Sequence, residues 1–502
     1  MSIAEPLTVL KAELLQTSVP QLVEQLAAAL QEGKAVHVVE GDLWDLLLQV
    51  GRRALGAFLH SHGSGDQGPA VTLPDGQEVR RLEALHSRRY VSIFGEFTLQ
   101  RTVYGSREGQ ALAFVPLDNR LQLPESVFSY LLQDWDQALA LEQAFGQVNE
   151  TITRMLRLRQ SVDTLEGMNR QMAADVGWFR EVLPPPPAAE EAQIVVTTAD
   201  GKGVVIRGQG TPTVCGGQRP GGTRANQKRM ATIGAVYTVA PYVRTPEEVV
   251  AALFRDPDYE PQPRPQPCHK HVWASLPQTE PQAQSSIDVV FGWLQWEYAQ
   301  RNPDLQRPAV QLCDGQEALW QACQDYLPQE NTVQIVDFMH VTPRVWAAGK
   351  LLYGERSAEL VPFVRQRLTQ VLHGKVATVI RALRRLAVER HLSSANKKAL
   401  NKICRYLSKN RKRMQYDAYL RQGYPIASGV IEGACRHVIK DRMERAGMHW
   451  TLEGAQAMLD LRSVAASDLW EDYQTYRIDA ETERLYPHRA LVAGEAYFAL
   501  AG

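Results

Sequence analysis

The stretch QIVVTTADGKGVVIR, residues 193–207, carries the pattern that decides the fold. Two β-like runs, Ile194–Ala199 and Gly203–Ile206, flank an Asp-Gly pair at Asp200. Runs of β-branched residues are typical of buried strands, and Asp-Gly is typical of a turn after a strand. The stretch therefore predicts two strands, with Asp200 at the end of the first.

Further along the chain, three more runs have the same character. They are Met230–Val239, Ala309–Cys313 and Val333–Val336, and helical stretches alternate with the last of them. Three strands followed by helix, strand, helix, strand and helix is the order of an RNase H-like core, a mixed sheet flanked by helices. We therefore predict a multidomain α+β protein with such a core.

Acidic residues fall where an open α/β sheet places its site, at the carboxyl ends of strands. Asp200 ends the first run, Asp314 ends the fourth in VQLCDGQ, and Glu432 begins a late helix in SGVIEGACR. Three carboxylates suit two Mg²⁺ ions, with Mn²⁺ as a substitute, for phosphoryl transfer. We predict Asp200, Asp314 and Glu432 as catalytic metal ligands, with Asp200 bridging both ions. The alternative is that both aspartates only begin Asp-Gly turns.

A second cluster follows the fifth run in QIVDFMHVTPRVW, where Asp337 and His340 are three residues apart. Such a pair could bind a metal ion or could hydrogen-bond within the site. Because no second His or Cys is near, we predict a supporting role in the active site, in which the pair orients a neighbour. A structural Asp at a strand end is the alternative. Cys268, His269 and His271 also look like a metal-binding group. No second Cys or His pair follows at the spacing of a zinc site, so we attribute this group to chance.

The Glu432 helix also carries Arg436 and Lys440 at successive four-residue steps. On an α-helix these side chains share one face, so we predict that both cations support the site by contacting phosphates. Intrahelical salt bridges are the alternative. Arg442 and Trp450 are predicted DNA contacts, although a half-buried core tryptophan is more common.

Positive charge is concentrated between Lys375 and Arg413, where thirteen Lys or Arg occur with a single acid, Glu389. Aliphatic residues keep a helical period inside this basic segment, so we predict a folded helical insertion that contacts phosphates, with a solvated helix face as the alternative. A smaller basic group occupies the Gly-rich loop before the third strand. The predicted DNA-binding residues of the two groups are Arg219, Arg224, Lys228, Arg229, Arg384, Arg385, Lys397, Lys398, Lys402, Arg405, Arg411, Lys412 and Arg413.

Changes in periodicity and composition predict the domain boundaries. Pro184–Pro187 cannot continue a helix and separates an N-terminal region from the core. The predicted parts are a helical region 1–70, a β-hairpin module 71–125, a helix-turn-helix-like DNA-binding region 126–183, a first core part 193–350, the basic helical insertion 351–423, the C-terminal core helices 424–465, and a peripheral acidic tail 466–502.

Composition restricts the class of protein. The chain has 502 residues and a net charge of −1, which excludes a uniformly basic nucleic-acid coat. Its six cysteines include no Cys-x-x-Cys pair, so free thiols in a reducing compartment are expected. No window reaches the ~18 uninterrupted apolar residues of a membrane span, and the N-terminus lacks a signal pattern. We expect a soluble, cytoplasmic protein.

Several blocks resemble bacterial insertion-sequence transposases of the ISKra type, distant relatives of the Mutator-like DDE transposases. They are TADGKGVVIR, KRMATIGAVY, VQLCDGQEALW, VDFMHVTPRVW, TLEGAQAMLDLRS and, most specific, NRKRMQYDAYLRQGYPIASGVIEGACRHVIKDRMERAGMHW. The resemblance covers about Asp200–Arg462 and is looser at PLDNRLQLPE in the N-terminal part.

This resemblance implies a DDE triad at Asp200, Asp314 and Glu432 that cleaves DNA and joins transposon 3′ ends to a target. It also implies an Asp-x-x-His element, matched by Asp337 and His340, and a helical insertion before the Glu. The expected partners are double-stranded DNA, as terminal inverted repeats and target, and a second copy of the chain in a homodimer or larger oligomer. A nuclease or resolvase without strand transfer and a domesticated, non-catalytic DNA-binding protein remain alternatives.

Overall fold

The computed structural model describes residues 19–105, 113–207, 227–278, 283–445 and 448–493. The chain divides into two compact units. The first combines Met1–Met172 with Glu471–Gly502, and the second is Ala173–Trp470. No helix in the described ranges has the length and apolar character that a transmembrane span requires.

The first unit begins with helices and continues with two small sheets. Its helices are α1 (Val19–Gln31), α2 (Val36–Ser61), α3 (Pro116–Leu121), α4 (Tyr130–Glu142), α5 (Phe145–Leu156) and α6 (Val162–Ala173). Its strands are β1 (Ala70–Thr72), β2 (Glu78–Arg81), β3 (His86–Ser92), β4 (Gly95–Arg101) and β5 (Tyr104–Gly105), arranged as β1-β2-β5 and as the hairpin β3-β4. The hairpin turns at Gly95, whose φ of 117° suits glycine.

A buried polar network joins the helices α4 and α6. Gln160 donates to a carboxylate oxygen of the fully buried Asp136 at 2.7 Å, and Asn169 donates to Gln137 at 2.8 Å. Burial raises the pKa of Asp136 to about 7, because the charged form loses its hydration.

The acidic C-terminal part differs from the predicted peripheral tail. Residues Trp470–Leu485 form a helix, and its Tyr473, Gln474 and Arg477 are buried. Tyr473 donates its hydroxyl to the Met172 carbonyl, and Arg477 donates to Gln133 at 3.1 Å. The prediction of a peripheral tail is therefore wrong, since this helix packs inside the first unit and ends before the short helix Ala490–Ala493.

The second unit contains a mixed five-stranded sheet. Its strands are β6 (Ile194–Ile206), β7 (Gln227–Val239), β8 (Cys268–Ser275), β9 (Ala309–Cys313) and β10 (Thr332–Val336), in the spatial order β10-β9-β6-β7-β8. The pairs β6/β9 and β9/β10 are parallel, whereas β6/β7 and β7/β8 are antiparallel. The predicted mixed α+β fold with a mixed sheet is confirmed.

Two strand predictions need correction. The runs at 194–199 and 203–206 are one continuous strand, because β7 pairs with every residue of it, including Asp200 opposite Ile233. The strand end predicted at Asp200 is thus wrong, and the alternative of an Asp-Gly turn at this position is wrong as well. The other correction is β8, which begins at Cys268 and is not among the five runs predicted from the sequence.

Helices cover the sheet and share its core. They are α7 (Val176–Val182), α8 (Pro246–Phe254), α9 (Ser286–Arg301), α10 (Glu317–Tyr326), α11 (Phe338–Tyr353), α12 (Leu360–Leu372), α13 (Val376–Glu389), α14 (Ser394–Asn410) and α15 (Tyr416–Arg421), with a 3-10 turn at Arg411–Arg413 between the last two. The predicted insertion is helical, and its buried faces, with residues such as Leu368, Leu383 and Leu407, belong to the same apolar core as the strands. It is therefore a packed part of the unit.

The end of the second unit holds the helix with Glu432. It begins as α16 (Gly429–Ala434), continues as a π turn (Cys435–Lys440) and ends as α17 (Asp441–Met443). The last helix that lies largely in this unit is α18 (Leu452–Ala466), which packs on β8.

Candidate active site

Three aspartates end the parallel part of the sheet at one level. In the register of the strands, Cys313 of β9 pairs with both Ala199 of β6 and Val336 of β10. The residues that follow are Asp200, Asp314 and Asp337. Because these strands run in the same direction, their next residues meet at one edge, as expected for the site of an α/β sheet.

Asp337 connects this edge to the segment that carries Glu432. One of its carboxylate oxygens accepts from the Met339 N–H at 2.7 Å and caps helix α11. The other accepts from the Ser428 N–H at 3.0 Å. The side chain is only 1% exposed, so these two bonds compensate part of the cost of its burial.

Ser428 begins the helix that presents Glu432. Its hydroxyl accepts from the Ile431 N–H at 3.1 Å, which is the usual geometry of an N-cap serine. Ser428 is fully buried, while Glu432, one turn along, is exposed. The Ser428 cap was not singled out from the sequence, although serine before a helical run is a recognisable start signal.

Asp337, His340 and Glu432 form the group that best matches a metal site among the described residues. One ligand atom from each lies within 4.8 Å of the others. The predicted ligand set of Asp200, Asp314 and Glu432 does not form a group this tight in the described part of the chain. The structure thus adds Asp337 and His340 to the residues that can hold a cation, and Glu432 belongs to both sets.

The carboxyl groups of the site perturb one another. Burial is the main cause that raises the pKa of Asp314 and of Asp337, and the charge of Asp200 adds to both shifts. Burial and the charges of Asp337 and Asp200 likewise raise the pKa of Glu432. His340 acts in the opposite direction on all three. Crowded carboxylates of this kind favour a bound cation, which would relieve their repulsion.

Asp200 has two neighbours that fix its side chain. One carboxylate oxygen accepts from the Gly201 N–H at 2.7 Å, and the other lies 3.4 Å from the Cys435 sulfur. Burial, with the negative charge of Asp200, raises the pKa of the Cys435 thiol, so the thiol stays protonated and can donate to Asp200.

Arg344 brings a positive charge to the site and was missed in the sequence. It lowers the pKa of Asp314 against the effect of burial, and its guanidinium lies 3.7 Å from the ring centre of Tyr406. Tyr406 belongs to the basic helix α14 and packs on Gly315, the residue after Asp314. The basic segment is therefore held directly against the loop that carries Asp314.

Most predicted phosphate contacts in this segment are exposed. They are Arg384, Arg385, Lys397, Lys398, Lys402, Arg405, Arg411 and Lys412. Arg413 is the exception, because its guanidinium lies 4.3 Å from the ring centre of Trp320 and its Nε donates to Gln334 at 2.8 Å. Its side chain therefore stabilises the fold, and the prediction that it contacts DNA is not supported by this geometry.

In the strand after the Gly-rich loop, Lys228 is exposed and Arg229 is half-buried, donating to the Pro277 carbonyl at 3.3 Å. Arg219 and Arg224 lie outside the described residues. In the group Cys268, His269 and His271, which the sequence analysis attributes to chance, the Nδ1 atom of His271 forms a hydrogen bond with a carboxylate oxygen of Glu297 at 2.5 Å.

The cations on the Glu432 helix are arranged differently from the prediction. Arg436 and Lys440 are exposed, but both lie in the π turn, whose hydrogen bonds span five residues, so the four-residue spacing of an α-helix is interrupted. Arg436 lies 3.6 Å from Asp441, an ion pair within this helix, although the spacing is five residues and not the four of the alternative interpretation.

Arg442 and Trp450 face the interior. Arg442 has no exposed surface, and its guanidinium lies 4.8 Å from the Trp450 ring centre. Trp450 is 8% exposed and donates to the Met443 carbonyl at 3.3 Å. The prediction that both contact DNA is wrong for this conformation, and the core alternative holds.

Models of known protein families give no match to this chain, and no curated protein matches it either.

Proposed function

We propose that the chain is a DDE-type DNA transposase with an RNase H-like core. The observation that carries the proposal is the alignment of Asp200, Asp314 and Asp337 at one edge of the sheet, with Glu432 held there through Ser428. A mixed five-stranded sheet flanked by helices, with the site at its carboxyl edge, also supports the RNase H-like assignment.

The donor set fits a hard divalent cation. Carboxylate oxygens are the ligands that Mg²⁺ prefers. Burial is the main cause that raises the pKa of Asp314 and of Glu432, and the charge of Asp200 adds to both shifts, a repulsion that a cation would relieve. Mg²⁺ would supply Lewis-acid stabilisation of the attacking and leaving oxygens in phosphoryl transfer.

In this proposal, different residues bind the metal ions, position Glu432 and bind the DNA phosphates. Asp200, Asp314 and Glu432 would hold the cations, and His340 is close enough to Glu432 to assist. Asp337 positions the Glu432 helix, since its two oxygens accept the N–H groups of Met339 and Ser428, and its remaining lone pairs can share a cation with Glu432. The exposed cations of the basic segment hold phosphates beside Asp314, because Tyr406 fixes that segment on Gly315.

The substrate follows from this assignment. Two transposon ends must meet in one complex, so the proposal includes at least a dimer, with terminal inverted repeats and target DNA as partners, in the bacterial cytoplasm. Water attack would release a 3′-hydroxyl, which would then attack the target strand in line.

The test uses the full chain with DNA carrying the ends of the element. Asp314→Asn and Glu432→Gln should each lower Mg²⁺-dependent nicking and joining by at least about a hundredfold, a loss of ~3 kcal/mol of transition-state stabilisation, while DNA binding is kept. Glu355→Gln is the matched control, because Glu355 is exposed and pairs only with Lys350 among the described residues.

Pre-cleaved ends separate the alternatives. Joining of such ends to target DNA is expected of a transposase, whereas cleavage without joining would indicate a nuclease or resolvase on the same fold. Binding without either reaction in the wild type would indicate a non-catalytic protein. Undiminished nicking by both variants would mean that the site is assigned to the wrong residues.

A further inference from the structure

A cavity of about 490 Å³ lies behind the helix that carries Glu432. Its walls come from the end of β7, the Pro-rich stretch 264–267 and residues of α16 that include Gly429 and Gly433. A side chain added at Gly429 would meet nothing within 4 Å, and one added at Gly433 would reach only His437 at 4.0 Å. The glycines therefore leave this space open.

The lining of the cavity is positively charged. Arg244, Arg264, Lys270 and His437 line it, and no carboxylate side chain does so among the described residues. His437 lies 3.2 Å from Asp441. The other three cations have no ion pair in the part of the chain that the structure describes, so their charge is available to an anion.

Arg244 lines the cavity with a guanidinium that has an unsatisfied donor. Its guanidinium lies 4.6 Å from the ring centre of Tyr242, and its buried Nε has no hydrogen-bond acceptor within the described ranges. Burial is the main cause that lowers the pKa of Arg244, and the positive charge of Arg264 adds to this shift. Tyr242 is itself fixed, because its hydroxyl donates to the Gln262 carbonyl at 3.1 Å.

The cavity is connected to the active site by one side chain. Tyr237 lines the cavity, and its hydroxyl hydrogen-bonds to Ser428. The N–H of Ser428 donates to Asp337, and Ser428 caps the Glu432 helix. An occupant of the cavity would therefore contact the back of the element that presents Glu432.

We propose that this cavity binds one unpaired nucleotide of the DNA substrate, with its phosphate on Arg244 and Lys270 and its base against Tyr242. The volume lies in the range of small-ligand pockets, cations with an aromatic ring are the groups that recognise unpaired nucleotides, and enzymes that act on DNA can extrude one. The inference rests on the proposed function, because it takes the DNA strand as the source of the nucleotide.

The test compares the affinity of the full chain for a blunt duplex with that for the same duplex carrying a short single-stranded extension. The wild type should prefer the extended duplex. Arg244→Gln and Lys270→Gln should each reduce that preference by about tenfold, the effect of removing one charge-assisted hydrogen bond, and Arg244→Lys should restore part of it. Arg365→Gln is the matched control, because Arg365 also lies over an aromatic ring, that of Phe254, but is paired with Asp256.

A preference that is the same in wild type and Arg244→Gln would overturn the proposal. A deoxynucleoside monophosphate separates the two sources of the ligand. Tight binding of this free nucleotide, abolished in Arg244→Gln, with no preference for the extended duplex would assign the cavity to free nucleotides and overturn the DNA assignment.

Glu432→Gln separates this proposal from the proposed function, since it should abolish nicking and keep the preference for the extension. A preference that depends on Arg244 in a wild type that neither nicks nor joins would support the cavity and refute the transposase.

Discussion

The contact between Gly315 and Tyr406 allows a sharp test of how the basic segment is held at the site. A Cβ at position 315 would lie 2.1 Å from Cε2 and 2.7 Å from Cζ of Tyr406, and 2.8 Å from the Asn410 amide nitrogen. Ordinary contacts between carbon atoms are ~3.5–4.0 Å, so the ring would have to move by more than about 1 Å. It has little freedom, because Arg344 lies against its face at 3.7 Å.

We therefore expect Gly315→Ala to destabilise the second unit by about 1–3 kcal/mol, the usual cost of overpacking, and to lower Tm by several degrees. The φ of Gly315 is not in the left-handed region, so backbone strain does not add to this cost. Gly292→Ala is the control, because Gly292 lies in helix α9 and an added Cβ there meets nothing within 4 Å. That change should be neutral or stabilising by up to about 1 kcal/mol.

A double-mutant cycle with Tyr406→Ala, followed by urea unfolding, isolates the clash. Tyr406→Ala is destabilising by itself, but it removes the atoms that an alanine at 315 would meet. The coupling free energy should be about 1–3 kcal/mol, with Gly315→Ala costing much less in the Tyr406→Ala background. An equal cost of Gly315→Ala in both backgrounds would refute the docking of the basic helix on this loop.

Two further predictions concern charge. The first replaces the exposed Lys397, Lys398, Arg411 and Lys412 with Glu, and the affinity for DNA is measured at a series of salt concentrations. DNA binding should weaken, and the slope of log K against log salt concentration should become shallower by about 0.9 for each phosphate that is no longer neutralised. Arg413→Gln should instead lower Tm and leave that slope unchanged, because Arg413 packs on Trp320. An unchanged slope in the fourfold variant would favour a solvated helix face. Burial raises the pKa of Asp136 to about 7, so the folded state favours the protonated carboxyl group. The stabilisation from this protonated group is complete below pH ~4, the pKa of an unfolded Asp, and is lost as the pH rises through about 7. The loss amounts to roughly 2–4 kcal/mol of the free energy of unfolding. Asp136→Asn should therefore stabilise the first unit at pH 8 and change little near pH 4 in urea unfolding, and equal effects at both pH values would contradict this origin.

The positions of the strand ends could be predicted because they depend on local pattern. The runs before Asp314 and Asp337 are short, apolar and β-branched, and the structure places their ends in register with Ala199. The continuity of β6 through Asp200-Gly could not be predicted, since glycine and aspartate disfavour strands locally. Pairing with β7 along the whole strand overrides that preference, and such pairing is a tertiary effect.

The errors in the candidate site have one physical origin. Sequence patterning assigns charged residues to the surface, yet Arg442, Arg477 and Asp136 are all buried. Each has polar or aromatic partners that come from distant parts of the chain or from the packing of a turn, as with Arg477 and Gln133 or Arg442 and Trp450. Hydropathy cannot reveal such partners, so the acidic tail was mistaken for a peripheral segment and Arg442 for a phosphate contact.

The role of Asp337 follows from comparing its two possible functions. As a metal ligand, Asp337 would bind a cation together with His340 and Glu432, since one ligand atom from each of the three residues lies within 4.8 Å of the others. As a positioning residue it accepts the N–H groups of Met339 and Ser428, and so ties the end of β10 to the cap of the Glu432 helix. The second role does not depend on a bound cation, because Glu432 follows β10 by almost a hundred residues and the hydrogen bond from the Ser428 N–H to Asp337 links the two elements. A carboxylate with both oxygens engaged keeps lone pairs for a cation, so the same side chain can place Glu432 and share its ion.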